Sequence, residues 1–211
     1  MEQGTPVQIR AGLLKVKMEV KRKVENIALF DMDGTLCDYD KGLSMELEKL
    51  RNPSETLFVP PLSDDAPDYI KARADLIRKS EEWWENLPKF KLGFDVLEIA
   101  KELGYKRMIL TQGPRKNPYS WSGKKKWIDK NLGEDIDITI TRDKGLVYGK
   151  VLVDDFPKHI ERWLEWRPRG LVIMPDNVLN KNFEHSQVIR YYGSNIEEVK
   201  NAMEKAKLRE D

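Results

Sequence analysis

The sequence predicts an α/β fold, a three-layer α/β/α arrangement with a parallel sheet in the middle and a small helical insertion. Three observations carry this expectation. Short apolar runs alternate with helical stretches from residue 27 onward, the pattern of strands joined by crossover helices. The runs, among them Ala28-Leu29-Phe30, Met108-Ile109-Leu110 and Val151-Leu152-Val153, lack polar alternation, as strands covered on both faces do. These three end abruptly in polar residues: Asp31, Thr111 and the pair Asp154-Asp155. Ligands in such sheets bind beyond the carboxyl ends of the strands, which makes these residues the first candidates for chemistry.

Residues 1–12 read as a loose lead-in. Leu14, Val16, Met18 and Val20 then alternate with Lys15, Lys17 and Glu19, a strand period, while Leu13 and Val24 leave a helix open. The run Lys21-Arg22-Lys23 suits a solvated face. Residues 1–26 are expected to form an N-terminal extension and 27–211 one domain. Asn26-Ile27-Ala28-Leu29-Phe30 is its first strand. Residues 41–52 and 67–86 read as helices separated by a Pro- and Asp-rich loop, and about 41–90 forms the insertion. A helix over 94–104 closes at Gly104. Strand 107–111 follows, then a loop with Gly113, Pro114 and Pro118, and a helix over 123–131 that stops near Gly133. Strand 137–141, strand 151–153, helix 157–166, strand 170–174, strand 188–191 and helix 194–208 complete the order. Trp163 and Trp166, three residues apart on one helix, read as a core-facing stripe.

Lys+Arg number 37 and Asp+Glu 36, so no global basic field invites a stable nucleic-acid partner. No apolar run is long enough for a membrane span, and the N-terminus lacks the apolar segment of a secretion signal. The single cysteine, Cys37, permits no intramolecular disulfide, which suits a reducing, cytoplasmic location. Cys37 itself reads as a small apolar filler beside the first strand. His159 and His185 are far apart and have no partner at metal-ligand spacing, so both read as structural or exposed.

The strongest chemical signal is Phe30-Asp31-Met32-Asp33-Gly34-Thr35-Leu36, directly after an apolar strand. Two carboxylates two residues apart, with Gly34 allowing a tight turn, can converge on one small site. A divalent cation would relieve their repulsion, and hard oxygen ligands favour magnesium. One carboxylate can attack phosphorus while the other protonates the departing oxygen and later activates water. Thr111 offers a hydroxyl beside free backbone N–H groups, where a phosphoryl oxygen can sit. Asp154-Asp155 adds an acidic pair, one member of which can instead cap the helix starting near Pro157.

These elements together resemble the haloacid dehalogenase (HAD) superfamily of phosphatases, over residues 27 to about 175. By that resemblance Asp31 is the nucleophile and Asp33 the general acid/base. Asp31 and the Asp33 carbonyl would ligate Mg2+, with Asp155 completing the metal shell and Asp154 the next choice. Thr111 is the second motif. The third-motif lysine is Lys144, ten residues before Asp154, in preference to Lys124, which is then expected to face solvent or the edge of the site. Within the superfamily the chain looks most like the 5'(3')-deoxyribonucleotidases. The narrower match lies in Thr111, Pro118, Tyr119, Lys124 and Trp127, in Thr141-Arg142-Asp143-Lys144 with 151–157, and in Asp38-Tyr39. It implies that Tyr39 stacks on a nucleobase and that Arg115 contacts phosphate. Gln112 stands where that family has Ser, and the segment 41–90 matches its cap only loosely. Trp83-Trp84 could line a base pocket, although one ring packing the cap helices and the other the core fits better. The implied activity is hydrolysis of a small phosphorylated substrate, a (deoxy)nucleoside monophosphate. The alternatives are another phosphomonoester such as a sugar phosphate, a nucleic-acid end, or a HAD-like binding module without catalysis. The joint presence of Asp31, Asp33, Thr111 and Asp155 argues against the last.

Overall fold

The computed structural model describes residues 25–209. The alternating segment before residue 25, the basic run 21–23 and nearly all of the expected extension lie outside the described residues. The elements are β1 (Ile27–Phe30), α1 (Tyr39–Lys49), α2 (Asp68–Arg78), α3 (Glu81–Glu85), α4 (Lys91–Glu102), β2 (Lys106–Thr111), α5 (Tyr119–Leu132), β3 (Asp137–Ile140), a 3-10 turn (Lys144–Leu146), β4 (Val151–Val153), α6 (Pro157–Glu165), β5 (Leu171–Pro175), β6 (Val188–Tyr191) and α7 (Ile196–Leu208). No helix among the described residues is long and apolar enough to cross a membrane.

The six strands form one sheet in the order β3-β2-β1-β4-β5-β6, and every pairing is parallel. Successive side chains leave opposite faces of a strand. Ala28, Phe30, Val151, Val153 and Ile173 therefore pack on one face with α4, α5 and α7. Leu29, Leu110, Leu152, Val172 and Met174 pack on the other with Ile160, Trp163 and Leu164 of α6. This is the expected three-layer α/β/α architecture. β1 is followed by β2 on one side and flanked by β4 on the other, so the chain reverses its winding at β1. A crevice opens at the carboxyl edge of such a switch point.

Several boundaries differ from expectation for identifiable reasons. The segment 67–86 is two helices, because Ser80 starts a new one: its Oγ accepts the Trp83 N–H at 3.3 Å. Helix α1 begins at Tyr39, capped by Asp38, whose side chain accepts the Lys41 N–H at 3.1 Å. Helix α5 begins at Tyr119, directly after Pro118, which puts Ser120, Gly123 and Lys124 on its buried face. The Trp163-Trp166 stripe is broken: Trp163 is buried, whereas Trp166 is 60% exposed, with the Arg162 guanidinium 5.6 Å from its ring centre. Trp166 is the C-cap residue, just past the end of α6, so the helix does not hold its ring on the buried face. Leu171–Pro175 is buried throughout, as a strand between neighbours should be.

Helices α1 to α3 lie between β1 and β2 and are tied to the rest of the chain mainly through α5. Trp127 Nε1 donates to the Leu87 carbonyl (2.7 Å), Lys130 to Asn86 Oδ1 (2.7 Å) and Ser122 Oγ to Glu81 (2.7 Å). Lys126 pairs with Glu81. Gly123 sits against Trp84 and the Glu81 carbonyl, where an added Cβ would lie 2.5 and 2.6 Å from them. Trp83 packs on α1, donating to the Gly42 carbonyl at 3.3 Å, so the two tryptophans face different partners.

The loop after β1 is held from below by α4, whose Gly93 touches the Thr35 backbone. A Cβ there would fall 1.8 Å from the Thr35 carbonyl oxygen. We expect Gly93→Ala to cost about 1–3 kcal/mol through overpacking, more than helix propensity would return. Urea denaturation measures it; an unchanged or higher midpoint would contradict this packing.

Candidate active site

β1 delivers Asp31 to the switch point, where its N–H donates to the Val153 carbonyl of β4 at 2.9 Å. The chain then folds back at once. The Met32 carbonyl accepts N–H groups from Thr35, Leu36 and Cys37 at 3.1, 2.8 and 2.7 Å. Gly34 makes this turn with a φ of 75°, in the left-handed region. It also clears the space for Asp155, since a Cβ at Gly34 would lie 2.3 Å from Asp155 Oδ2. The spacing Asp31-x-Asp33-Gly34 is thus a steric requirement of the site.

Four carboxylates and two lysines meet here. Lys144 Nζ lies 2.8 Å from Asp31 Oδ1 and 2.6 Å from Asp154 Oδ2. Lys124 Nζ lies 2.7 Å from Asp33 Oδ2, 3.0 Å from Thr111 Oγ1 and 2.9 Å from the Gln112 carbonyl. Both lysines are buried, at 0% for Lys124 and 2% for Lys144. Of the two alternatives for Lys124, exposure to solvent is therefore corrected, and the side chain lies at the site itself against Asp33 and Thr111. A lysine stem is long enough to reach the same centre from α5 and from the 3-10 turn, and the stem itself packs in the core.

Burial raises the Asp31 pKa, Lys144 offsets part of that, and Asp154 and Asp33 add to it. Burial works against the Lys144 ammonium, yet Asp154 and Asp31 outweigh it and hold the group protonated more firmly than an ordinary lysine. Asp154 is the converse: burial would raise it, but Lys144 and then His159 bring it below the usual carboxylate range. Among the described residues, no lysine lies within ion-pair distance of Asp155. Its carboxylate accepts from Thr35 Oγ1 (3.3 Å) and Asn177 Nδ2 (2.7 Å). Burial, followed by Asp154 and Asp31, pushes its acid well above the ordinary value.

The donor set fits a divalent cation. Two ammoniums face four carboxylates, so the acids outnumber the bases, and Asp33 Oδ1 is buried without a partner. Asp31, Asp154 and His159 present ligand atoms within 4.8 Å of one another. His159 was expected to be structural or exposed; it instead turns its Nδ1 toward Asp154 Oδ1 at 3.8 Å, and that nitrogen is buried without a hydrogen-bond partner. Asp154 also accepts the Phe156 N–H at 3.0 Å, but the N-cap of α6 is Phe156 with no side-chain cap, so the expected capping by Asp154 or Asp155 is corrected.

The 3-10 turn sets the Lys144 backbone. The Asp143 carboxylate accepts the Gly145 N–H at 3.0 Å and is gripped by Arg162 of α6 through contacts of 2.7, 3.0 and 3.2 Å. Arg167 Nη1 donates to the Gly145 carbonyl at 3.1 Å.

The remaining expected residues divide. Tyr39 stands beside Asp33, with its hydroxyl accepting from Arg78 Nε at 2.6 Å and its pKa pushed up to about 12, chiefly by burial. Gln112 contributes through its backbone carbonyl. Arg115 is exposed and does not line the cleft that its neighbours Lys116 and Asn117 wall. Trp83 and Trp84 are 8% and 3% exposed and pack with Tyr39 at ring separations of 5.4 and 5.9 Å, so they form a floor beneath the site. Sequence reasoning missed Arg78, Asn177 and Asn180. Asn180 Nδ2 donates to the carbonyls of Asp155 (3.0 Å) and Pro175 (2.9 Å). Asn177, two residues beyond β5, was discoverable by the strand-end rule that found Asp31.

No protein-family model matches the chain. Among solved structures, it is similar to the HAD-hydrolase YfnB from Bacillus subtilis, at 15% identity over 86% of this chain and 99% of that one, with a TM-score of 0.51. A haloacid dehalogenase-like hydrolase from Burkholderia xenovorans matches at 14% identity over 82% and 96% of the two chains, with a TM-score of 0.46. Phosphoserine phosphatase from T. onnurineus matches at 17% over 84% and 96%, with a TM-score of 0.42. The chain has the HAD-like α/β fold.

Asp155 is the one carboxylate of the four held without an ammonium. In chelator, Asp155→Asn should stabilise the protein by about 1–2 kcal/mol, the usual return from relieving functional strain. A destabilised variant in urea titrations would show that the Asn177 and Thr35 contacts outweigh the repulsion.

Proposed function

We propose that this protein is a magnesium-dependent phosphomonoesterase that works through an aspartyl-phosphate on Asp31 and acts on nucleotides. The observation that carries the reading is the interlocked set Asp31–Lys144–Asp154 and Asp33–Lys124–Thr111 at the switch point of the sheet, with all but the half-buried Asp33 out of contact with solvent. A structural core has no need of two ammoniums and four carboxylates at one point, since apolar side chains of similar volume would stabilise it as well or better. The similar structure of YfnB was obtained bound to magnesium, which supports the choice of cation.

In this reading Asp31, the carbonyl of Asp33 and Asp155 hold Mg2+, with Asp154 and His159 beside them. When bound, the ion supplies positive charge to the phosphoryl oxygens and offsets the repulsion among the carboxylates. Asp31 attacks phosphorus, the bond to the leaving oxygen breaks, and Asp33 gives that oxygen a proton. Lys124 holds Oδ2 of Asp33 and leaves Oδ1 for the transfer. Asp33 then takes a proton from water, which attacks the aspartyl-phosphate, releases inorganic phosphate and restores Asp31. Lys124, Lys144 and Thr111 stabilise charge on the transferring group, the largest share of catalysis in phosphoryl transfer. Helices α1 to α3 serve as a small cap over the site. The resemblance in Tyr39 and in 111–127 supports nucleoside phosphates as substrates, with Tyr39 beside the base.

Asp31→Asn should abolish turnover. Lys144→Ala should cost more than Lys124→Ala, with each losing about 100-fold or more in kcat. Equal losses would remove the special role of Lys144. Phosphate release from ribo- and deoxyribonucleotides, sugar phosphates and p-nitrophenyl phosphate, with and without magnesium, tests the whole reading. No release from any of them would overturn it.

A further inference from the structure

Two clefts open onto Asp33, and they carry opposite charge. The larger, about 570 Å³, is walled by Lys79, Lys116, Asn117, Trp84 and Asp75. The smaller, about 230 Å³, is walled by Asp38, Asp40 and Asp155, with Gly34 and Asn177. Tyr39 and Arg78 line both and form the ridge between them. Arg78 is committed on both sides, to Tyr39 Oη at 2.6 Å and to Asp75 Oδ1 at 3.1 Å, so it and Asp75 neutralise each other. Asp33 is met by Lys124. What remains on the larger cleft is a pair of exposed ammoniums, Lys79 and Lys116, with no carboxylate partner among the described residues. What remains on the smaller cleft is three carboxylates without an ammonium partner among the described residues.

We propose, resting on the nucleotide phosphatase reading above, that the part of the substrate left behind when phosphate departs lies in the larger cleft and is itself anionic. The substrate class is a nucleotide bearing a second phosphoryl group beyond the one removed. A second phosphate is drawn toward Lys79 and Lys116 and turned away from Asp38 and Asp40, while Asp155, given to the cation in that reading, takes no part. The two clefts thus divide the site: one receives the body of the substrate, the other faces the acidic edge of the site. Exposed lysines on flexible stems attract a phosphate without fixing its geometry, so the preference appears in affinity and KM, with kcat little involved. Asp75 cancels the Arg78 charge in the same cleft, so removing its carboxylate would add that guanidinium to the two ammoniums.

Calorimetry in an Asp31→Asn background, which halts turnover, compares adenosine 5'-monophosphate with adenosine 3',5'-bisphosphate. The bisphosphate should bind roughly tenfold more tightly at low salt, the sum of two exposed ion pairs. The advantage should shrink toward unity near about 0.5 M salt. Adding Lys79→Glu and Lys116→Glu should abolish it, and adding Asp75→Asn should enlarge it, so a gain as well as a loss is read. Equal affinities for the two nucleotides, or a preference that survives the double charge reversal, would overturn the proposal. Phosphate release by the wild type is a separate reading. A binding preference without release would overturn the phosphatase assignment and leave the cleft assignment standing, whereas release without the preference would do the reverse.

Discussion

The site depends on one electrostatic constraint: four carboxylates brought to a single point must be held apart from water and from one another. Two ammoniums do most of this. Lys144 spans Asp31 and Asp154, and Lys124 ties Asp33 to Thr111. Each lysine reaches the centre from a different element, so the sheet, the 3-10 turn and α5 must all be in register before the charges balance. Asp155 has no ammonium partner among the described residues, and burial beside Asp154 and Asp31 disfavours its charged form. Energy held in this way is unfavourable for folding and useful for binding a cation or a phosphoryl group, because the ligand meets a site already arranged for it.

The backbone serves the same constraint. Central strands β1 and β4 are adjacent, so Asp31 and Asp154 leave the sheet side by side. Gly34 and Gly93 remove side chains from the two places where the loop must approach Asp155 and α4 most closely. Asp143 and Arg162 secure the turn that carries Lys144. None of these groups has to touch a substrate; they decide whether the groups that do can share one location.

The sheet was legible in the sequence because its strands are short apolar runs with abrupt polar ends, and that same feature exposed Asp31, Thr111, Asp154 and Asp155. Asp33 was legible because it is local to Asp31. What could not be read depends on distance in sequence. Lys124 and Lys144 could not be separated by spacing alone, since either stem could reach, and both do. His159 looked ordinary because its neighbour is Asp154, five residues away across a helix start, with no Cys or His partner. Arg78 meets Tyr39 through the packing of α2 on α1, across 39 residues of sequence, which no local pattern reveals. Trp166 was misread because a three-residue spacing on a short helix does not fix how wide its buried face is.

The contacts between α3 and α5 bear on how the site admits its ligands. Trp127, Lys130, Ser122 and Lys126 each bind the inserted segment, and Gly123 lets it sit directly on the helix that carries Lys124. A segment bolted along one side at so many points does not swing as a door. Its position relative to α5, and so to Lys124, is fixed by the same handful of bonds.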